Sequence, residues 1–223
     1  SDTAVVGAQF PETFLFGSAT AGFQVDMGCP TWSAAECDDT ASDWYQYVTE
    51  PIFLDDAGLH ISGDPISMGP GMWEMYEQDI AQMKADGHTT YRFSVEWSRL
   101  FPSRVDDEVA SAEALSAMAD GPTVARYHEI LTALLDSGIR PVVTLNHYTL
   151  PLWLHNGAEC NQDIVACTDN GWLNRDRMVH HAGLYAEFLG QEFGSEVDLW
   201  MTLNEPFATT LSGYLLPGED RSA

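Results

Sequence analysis

The segment DLWMTLNEP, residues 198–206, decides the architecture. Leu199, Met201 and Leu203 alternate with Trp200, Thr202 and Asn204, which is the two-residue period of a strand. Pro206 has no amide proton for a sheet ladder, so the strand stops there. Glu205 then stands at the strand's C-terminal tip with the Asn204 amide beside it. In a parallel α/β barrel, catalytic groups lie at such tips. A glutamate that simply caps the following turn is the plainer reading of these residues alone.

Upstream of this strand the chain repeats one pattern. Met72, Tyr76, Ile80 and Met83 mark a helix face that ends at Gly87, and TTYRFSVEW (89–97) follows as a strand. Val124, Tyr127, Leu131 and Leu134 mark a second helix that ends at Gly138, before the strand IRPVVTLNH (139–147). Met178, Ala182, Tyr185 and Leu189 mark a third, opened by an Asn174 cap and ended at Gly194, before VDLWMTLNE. Three times the order is helix, glycine C-cap, apolar strand. FLFGSATAGFQ (14–24) supplies an earlier strand and turn. Alternating strands and helices imply βαβ units around a parallel sheet.

The three glycines recur at intervals of 51 and 56 residues, so the loops that follow the strands (98–121 and 148–173) are long. The expected fold is an α/β (β/α)8 TIM barrel of which this chain supplies the first four βα units. Residues 1–223 then form the N-terminal half of one catalytic barrel, with the C-terminal half on a separate or missing chain. A half-barrel leaves two unpaired sheet edges. Residues 25–70 are rich in Asp, Gly, Pro and Ser and show little periodicity, which reads as a functional loop. Its Trp32, Trp44, Tyr45 and Tyr47 either wall a cleft or pack the loop onto itself.

Composition excludes several partners. There are 34 acidic residues against 9 basic ones, a formal charge of −25, and Lys84 is the single lysine. Such a surface repels nucleic acid and anionic membranes. No apolar run approaches the roughly 20 residues of a membrane helix. SDTAVVGAQF (1–10) shows no signal peptide and reads as a mature terminus after processing. Cys29 and Cys37, and Cys160 and Cys167, form two close pairs in loops. Two local disulfides favour an extracellular or periplasmic location, whereas two pairs of free thiols would leave a halophile's cytoplasm open. Neither pair has the tight spacing and nearby histidine of a zinc site. No metal or cofactor is called for: phosphate-binding glycine loops and Gly-x-Ser-x-Gly elbows are both absent.

The polar residues near the strand tips share a chemistry. Gln24 follows the first strand, Arg92 lies on the second in register with Ser94 and Glu96, Asn146 and His147 end the third, and Asn204 and Glu205 end the fourth. Amides and imidazole bind hydroxyl groups as donor and as acceptor. Tyr148, Trp153 and Trp172 add flat apolar faces. Hydroxyl-binding groups, flat rings and a carboxylate together describe a sugar site.

The sequence resembles the N-terminal half of the family 1 glycoside hydrolases, the β-glucosidase and β-galactosidase family. FPETFLFGSATAGFQ, YRFSVEWSRLFP, VTLNHYTLPLWL and TLNEP look like its successive landmarks, and VEWSRLFP and LPLWLH are closest to the archaeal-type branch. The resemblance runs from about residue 10 to 217. It implies a retaining β-glycosidase acting on terminal β-linked glucose- or galactose-type residues of a glycoside or oligosaccharide. It implies Glu205 as acid/base, Asn204 as the amide on the glycone 2-hydroxyl, Gln24 and His147 as holders of the other hydroxyls, and Arg92 as support for the nucleophile. Tyr148 stands where the family usually has tryptophan and reshapes the sugar contact; Asp26 stands where it usually has Glu, with little consequence expected.

The family's nucleophile, a Glu in a Thr-Glu-Asn-Gly type motif, has no counterpart in this chain and is expected from a C-terminal half-barrel polypeptide. Glu96 reads instead as an ion-pair partner of Arg92 or Arg99. His180 and His181 read as surface histidines, and His60, His88, His128 and His155 show no ligand spacing. Trp73, Trp97 and Trp200 read as packing. The rival to an enzyme is an inactive truncated family member that binds sugar or a protein.

Overall fold

The computed structural model describes residues 10–55 and 61–211. Four parallel strands form one sheet in chain order: β1 (Gly17–Ala19), β2 (Thr90–Ser94), β3 (Arg140–Asn146) and β4 (Leu199–Leu203). Their register aligns Ala19 with Arg92, Arg92 with Val142, and Val142 with Leu199. Helices Met72–Ala85, Gly121–Asp136 and Arg175–Phe193 link successive strands. The apolar face of each points inward: Met72, Tyr76 and Ile80, then Tyr127, Leu131 and Leu134, then Met178, Tyr185 and Leu189 are buried. These join Tyr91, Phe93 and Val143 from the sheet in one core. Trp73 and Trp97 are buried in it, and Trp200 packs against it.

The helix ends follow local chemistry. The Asn174 side chain accepts from Arg177 N and caps the 175–193 helix, and Asp120 does the same for the 121–136 helix through Thr123 N. Gly87 and Gly138 take φ of 79° and 74°, the left-handed turn that releases the chain toward the sheet. Gly194 differs from expectation: its φ is −65°, and the turn is closed by Glu196 and Val197 donating to the Phe193 carbonyl.

The strands are shorter than the periodicity suggested. Strand character over 14–24 contracts to Gly17–Ala19, because the Gly22 amide is drawn to Ser94 Oγ and the chain turns into a helical turn, Gly22–Val25. β2 ends at Ser94, and Glu96 becomes the N-cap of another turn, Trp97–Leu100. Residues 25–55 and 61–70 hold short helices: Ala34–Cys37 with a Ser33/Glu36 capping box, Asp43–Thr49 capped by Ser42, Pro51–Leu54, and the 3-10 turn Ile66–Met68. Segments of three to seven residues are too short to show a helical period. Cys29–Cys37 and Cys160–Cys167 are disulfides. The terminal stretches 1–9 and 212–223, and His60, lie outside the described residues.

The central strands are covered and the outer ones are open. Met201 and Leu203 on β4 are 43% and 41% exposed, and Phe14 and Phe16, entering β1, are 44% and 47% exposed. Among the described residues no helix is long and apolar enough to cross a membrane.

Candidate active site

β2, β3 and β4 bring their polar tips into contact. Arg92 donates through Nε to Thr144 Oγ1 of β3 at 2.8 Å and through a terminal nitrogen to Asn204 Oδ1 at 2.9 Å. The Asn204 amide donates to the Asn146 carbonyl at 3.0 Å. Arg92 therefore fixes the Asn204 side chain from two strands away.

Glu205 follows Asn204 as an exposed carboxylate. Its backbone is left-handed, with φ 41° and ψ 63°. The Tyr148 hydroxyl, from the loop after β3, donates to Glu205 Oε2 at 3.0 Å. The Tyr148 ring stacks on Trp44, with centroids 5.7 Å apart and planes within 7°. Trp44 in turn meets the edge of Phe23 at 5.9 Å. Phe23 precedes Gln24, which is exposed on the Gly22–Val25 turn and, with Phe23, Trp44 and Met68, lines a cleft of about 490 Å³. An aromatic row thus connects the Gln24 end of the site to Glu205.

His147 is half-buried, and its Nδ1 is buried with no hydrogen-bond partner among the described residues. Burial, reinforced by the positive Arg92 and opposed by Glu205, pushes its pKa down to about 4. The imidazole is neutral at ordinary pH, with one donor and one acceptor nitrogen. A neutral imidazole, the Asn204 amide, a guanidinium and a phenol around one carboxylate suit a ligand rich in hydroxyls, and the carboxylate is able to move one proton.

Several expected members stand elsewhere. Trp153 is buried, donates its ring N–H to the Phe101 carbonyl at 2.8 Å and meets Trp97 edge-on, so it belongs to the core. The Asn146 amide nitrogen is held by the Thr149 carbonyl at 2.8 Å. Trp172, by contrast, lines an apolar pocket of about 280 Å³ together with Asn146, Asn204, Leu203 and Thr209. Glu96 is neither a second reacting carboxylate nor an ion-pair partner of Arg92. Because β2 ends before it, it lies off the strand, is 1% exposed and binds the hydroxyls of Ser94 and Thr149. Arg99 pairs instead with Asp26 at 3.3 Å. Asp26 is a fully buried partner in a cluster with Arg99, Asp39 and Glu96. His181 is also buried rather than on the surface, bonded to Asp107 at 2.7 Å beneath Trp153, and His180 is half-buried. Trp32 packs on Arg126 and Tyr47 on Phe53, while Trp44 reaches the site by stacking on Tyr148. Among the described residues no three His, Cys, Asp or Glu side chains form a group able to hold a metal ion.

The sequence model for glycosyl hydrolase family 1 matches residues 6–219. The chain belongs to glycosyl hydrolase family 1. It is similar to a β-galactosidase of Pyrococcus woesei, 34% identical over 227 residues, which span 93% of this chain and 43% of that protein. It is similar to β-glucosidase 42 of Arabidopsis thaliana, 31% identical, with 94% and 36% covered. Its structure superposes on the β-glycosidase of Thermosphaera aggregans with a TM-score of 0.83 and 30% identity, over 93% of this chain and 45% of that one. This family 1 chain therefore spans less than half the length of the relatives it matches. Its four-stranded parallel sheet is half of a (β/α)8 barrel.

Proposed function

We propose that this chain is the N-terminal half of a retaining β-glycosidase, and that the active barrel forms when a C-terminal half adds four more βα units. The supporting observation is the Glu205 carboxylate at the β4 tip, with the Tyr148 phenol on it and the Arg92–Asn204 pair and neutral His147 beside it. In this reading Glu205 protonates the glycosidic oxygen while a carboxylate from the second half attacks the anomeric carbon. The aglycone leaves as an alcohol and a glycosyl ester remains. Glu205 then takes a proton from water, which releases the sugar and frees the attacking carboxylate. That order needs the two carboxyls about 5–5.5 Å apart.

Asn204, oriented by Arg92, holds the hydroxyl next to the anomeric carbon, and Gln24 and His147 hold those further round the ring. Arg92 also keeps the attacking carboxylate ionised. The substrate is a terminal β-linked glucose- or galactose-type glycoside. The two disulfides support an extracellular or periplasmic setting.

The test is Glu205→Gln in the assembled enzyme. Turnover of alkyl β-glucosides, whose leaving groups need a proton, falls about 100- to 10,000-fold. Added azide then restores turnover of aryl glucosides by replacing the water that Glu205 activates. Unchanged hydrolysis of alkyl glucosides sinks the assignment.

A further inference from the structure

Glu96 lies just below the candidate site and touches none of the groups that face it, yet its side chain ties together the loops that carry them. Its Oε1 accepts from Ser94 Oγ at 2.9 Å, and its Oε2 accepts from Thr149 Oγ1 at 2.6 Å. Its own amide donates to the Tyr127 hydroxyl at 2.8 Å, so the carboxylate is held on a rigid base. Both bonds lead directly to the site.

Ser94 Oγ also accepts from the amide of Gly22, at 2.7 Å, at the start of the turn that presents Gln24. Gly22 sits so close that a Cβ added there would lie 2.5 Å from Glu96 Oε1 and 2.6 Å from its Cγ. The Gln24 turn therefore rests on the Glu96 side chain. On the other side, Thr149 follows Tyr148 and stands two residues after His147. The Asn146 amide grips the Thr149 carbonyl while Glu96 grips its hydroxyl. Tyr148 has φ 76°, so its ring direction depends on how its neighbours are anchored.

We propose that Glu96 is a positioning residue of the glycone subsite: through Ser94 it sets the height of the turn bearing Gln24, and through Thr149 it sets the loop bearing His147 and Tyr148. This rests on the β-glycosidase reading above. It adds that sugar affinity is set by a buried carboxylate that never meets the sugar.

The test uses Glu96→Met and Glu96→Gln in the assembled enzyme. Met keeps the side chain's volume and removes both hydrogen bonds. Gln keeps length and polarity and is able to bond both hydroxyls. The substrate is p-nitrophenyl β-D-glucoside, whose leaving group needs little protonation, and D-glucose serves as competitive inhibitor and as ligand in calorimetry. For Glu96→Met we expect KM, the inhibition constant and the glucose Kd all to rise about tenfold, with kcat within about threefold. Glu96→Gln stays within about twofold of the unmodified enzyme. A purely structural role would lower the melting temperature and the active fraction while leaving all three constants unchanged, and that result overturns the proposal.

If the Met variant fails to fold, Thr149→Val and Ser94→Ala cut the two bonds one at a time. Each is expected to raise KM and Kd severalfold, and unchanged constants in both overturn the proposal equally. Failure of the underlying reading is distinguishable. An enzyme that binds glucose but hydrolyses nothing refutes the glycosidase reading, while the Kd comparison still decides the role of Glu96. An enzyme that does not bind glucose overturns both.

Discussion

Tyr148 and Glu205 are the two non-glycine residues with left-handed backbone among the described ones, and they are hydrogen-bonded to each other at 3.0 Å. That conformation costs an ordinary residue about 1–2 kcal/mol. Two such residues, 57 positions apart, are held so that a phenol meets a carboxylate. The Trp44 stack fixes the Tyr148 ring, and Pro206 fixes the chain just after Glu205. The bond orients the carboxyl group. Tyr148→Phe keeps the ring and its stack but removes the donor. A hydrogen bond to a charged group contributes about 1.5–3 kcal/mol, less where water competes, so kcat/KM for alkyl β-glucosides should fall about tenfold. Aryl glucosides with good leaving groups should lose much less. Equal losses on both substrates would show that Tyr148 acts on the sugar rather than on Glu205.

Asp26, Asp39 and Glu96 share one guanidinium, Arg99, in a site closed to water. Burial pushes Asp26 up to about 8 and Glu96 up to about 7, in each case against the partial relief that Arg99 gives. A carboxyl whose folded pKa is raised stays protonated in the fold while the unfolded chain has already lost its proton. Its contribution is therefore fully present below the unfolded pKa and is lost as pH rises through the folded value. His147, with a lowered pKa, acts in the opposite sense, but only below its unfolded value of about 6.5. Between about pH 7 and 8 the raised groups, Asp26 and Glu96 in the cluster and His128 beside Glu192 and Glu196, act in one direction and His147 no longer opposes them. Unfolding there should release protons from the buried cluster, so stability should fall as pH rises across this window. Urea titrations at the two pH values measure this. Asp26→Asn should flatten the slope, and an unchanged slope in that variant would place the proton elsewhere.

Much of this fold is legible in the sequence because long elements advertise their period. Met72, Tyr76 and Ile80, or Leu131 and Leu134, fall on one face of a helix and are buried together. The strand tips were readable for the same reason, so Arg92, His147, Asn204 and Glu205 could be expected at one mouth. What escaped depends on tertiary contact. The four-residue turns after Gly22 and Glu96 have no period to read, and both exist because Glu96, Ser94 and Gly22 interlock. Nothing local marks Trp44 rather than Trp32 as the aromatic that reaches Tyr148. Nothing local marks Asp26 as the partner of Arg99 in a closed interior. Gly194 shows the converse, since a glycine at a helix end need not be left-handed when nearby amides close the turn.

The Cys29–Cys37 disulfide is coupled to that charge cluster. Arg99 donates to the Cys37 carbonyl at 2.8 Å, and the enclosed loop includes the Ala34–Cys37 helix. Opening the bridge frees the loop in the unfolded chain and loosens one of the fixed acceptors of Arg99. A short-loop disulfide contributes about 2–3 kcal/mol. For a chain of this size Cys29→Ser with Cys37→Ser should therefore lower the melting temperature by about 4–10 °C. The equivalent change at Cys160 and Cys167, whose loop lies away from Arg99, should leave the pH slope between 7 and 8 intact. Thermal melts at both pH values separate the two bridges, and equal behaviour would show that the first is not linked to the cluster.

The open edges of the sheet make the half-barrel proposal testable without any substrate. Phe14 and Phe16 beside β1, and Met201 and Leu203 on β4, are all between 39% and 47% exposed together with Leu15, although they continue a sheet whose centre is sealed. Unpaired strands with apolar side chains recruit further strands or aggregate. Closing an eight-stranded barrel would pair β1 with the last strand and β4 with the fifth, covering both rows at once. The 223-residue chain alone should bind the dye 8-anilinonaphthalene-1-sulfonate strongly and self-associate as its concentration rises. A polypeptide carrying the second half should remove most of that fluorescence and yield one species of defined mass. Charge substitutions at Phe16 and Leu203 should lower dye binding by the chain alone and also weaken assembly, since the same side chains serve both. A chain that stays monomeric and dye-free by itself would have its edges covered in another way, and the second half would then not be what completes it.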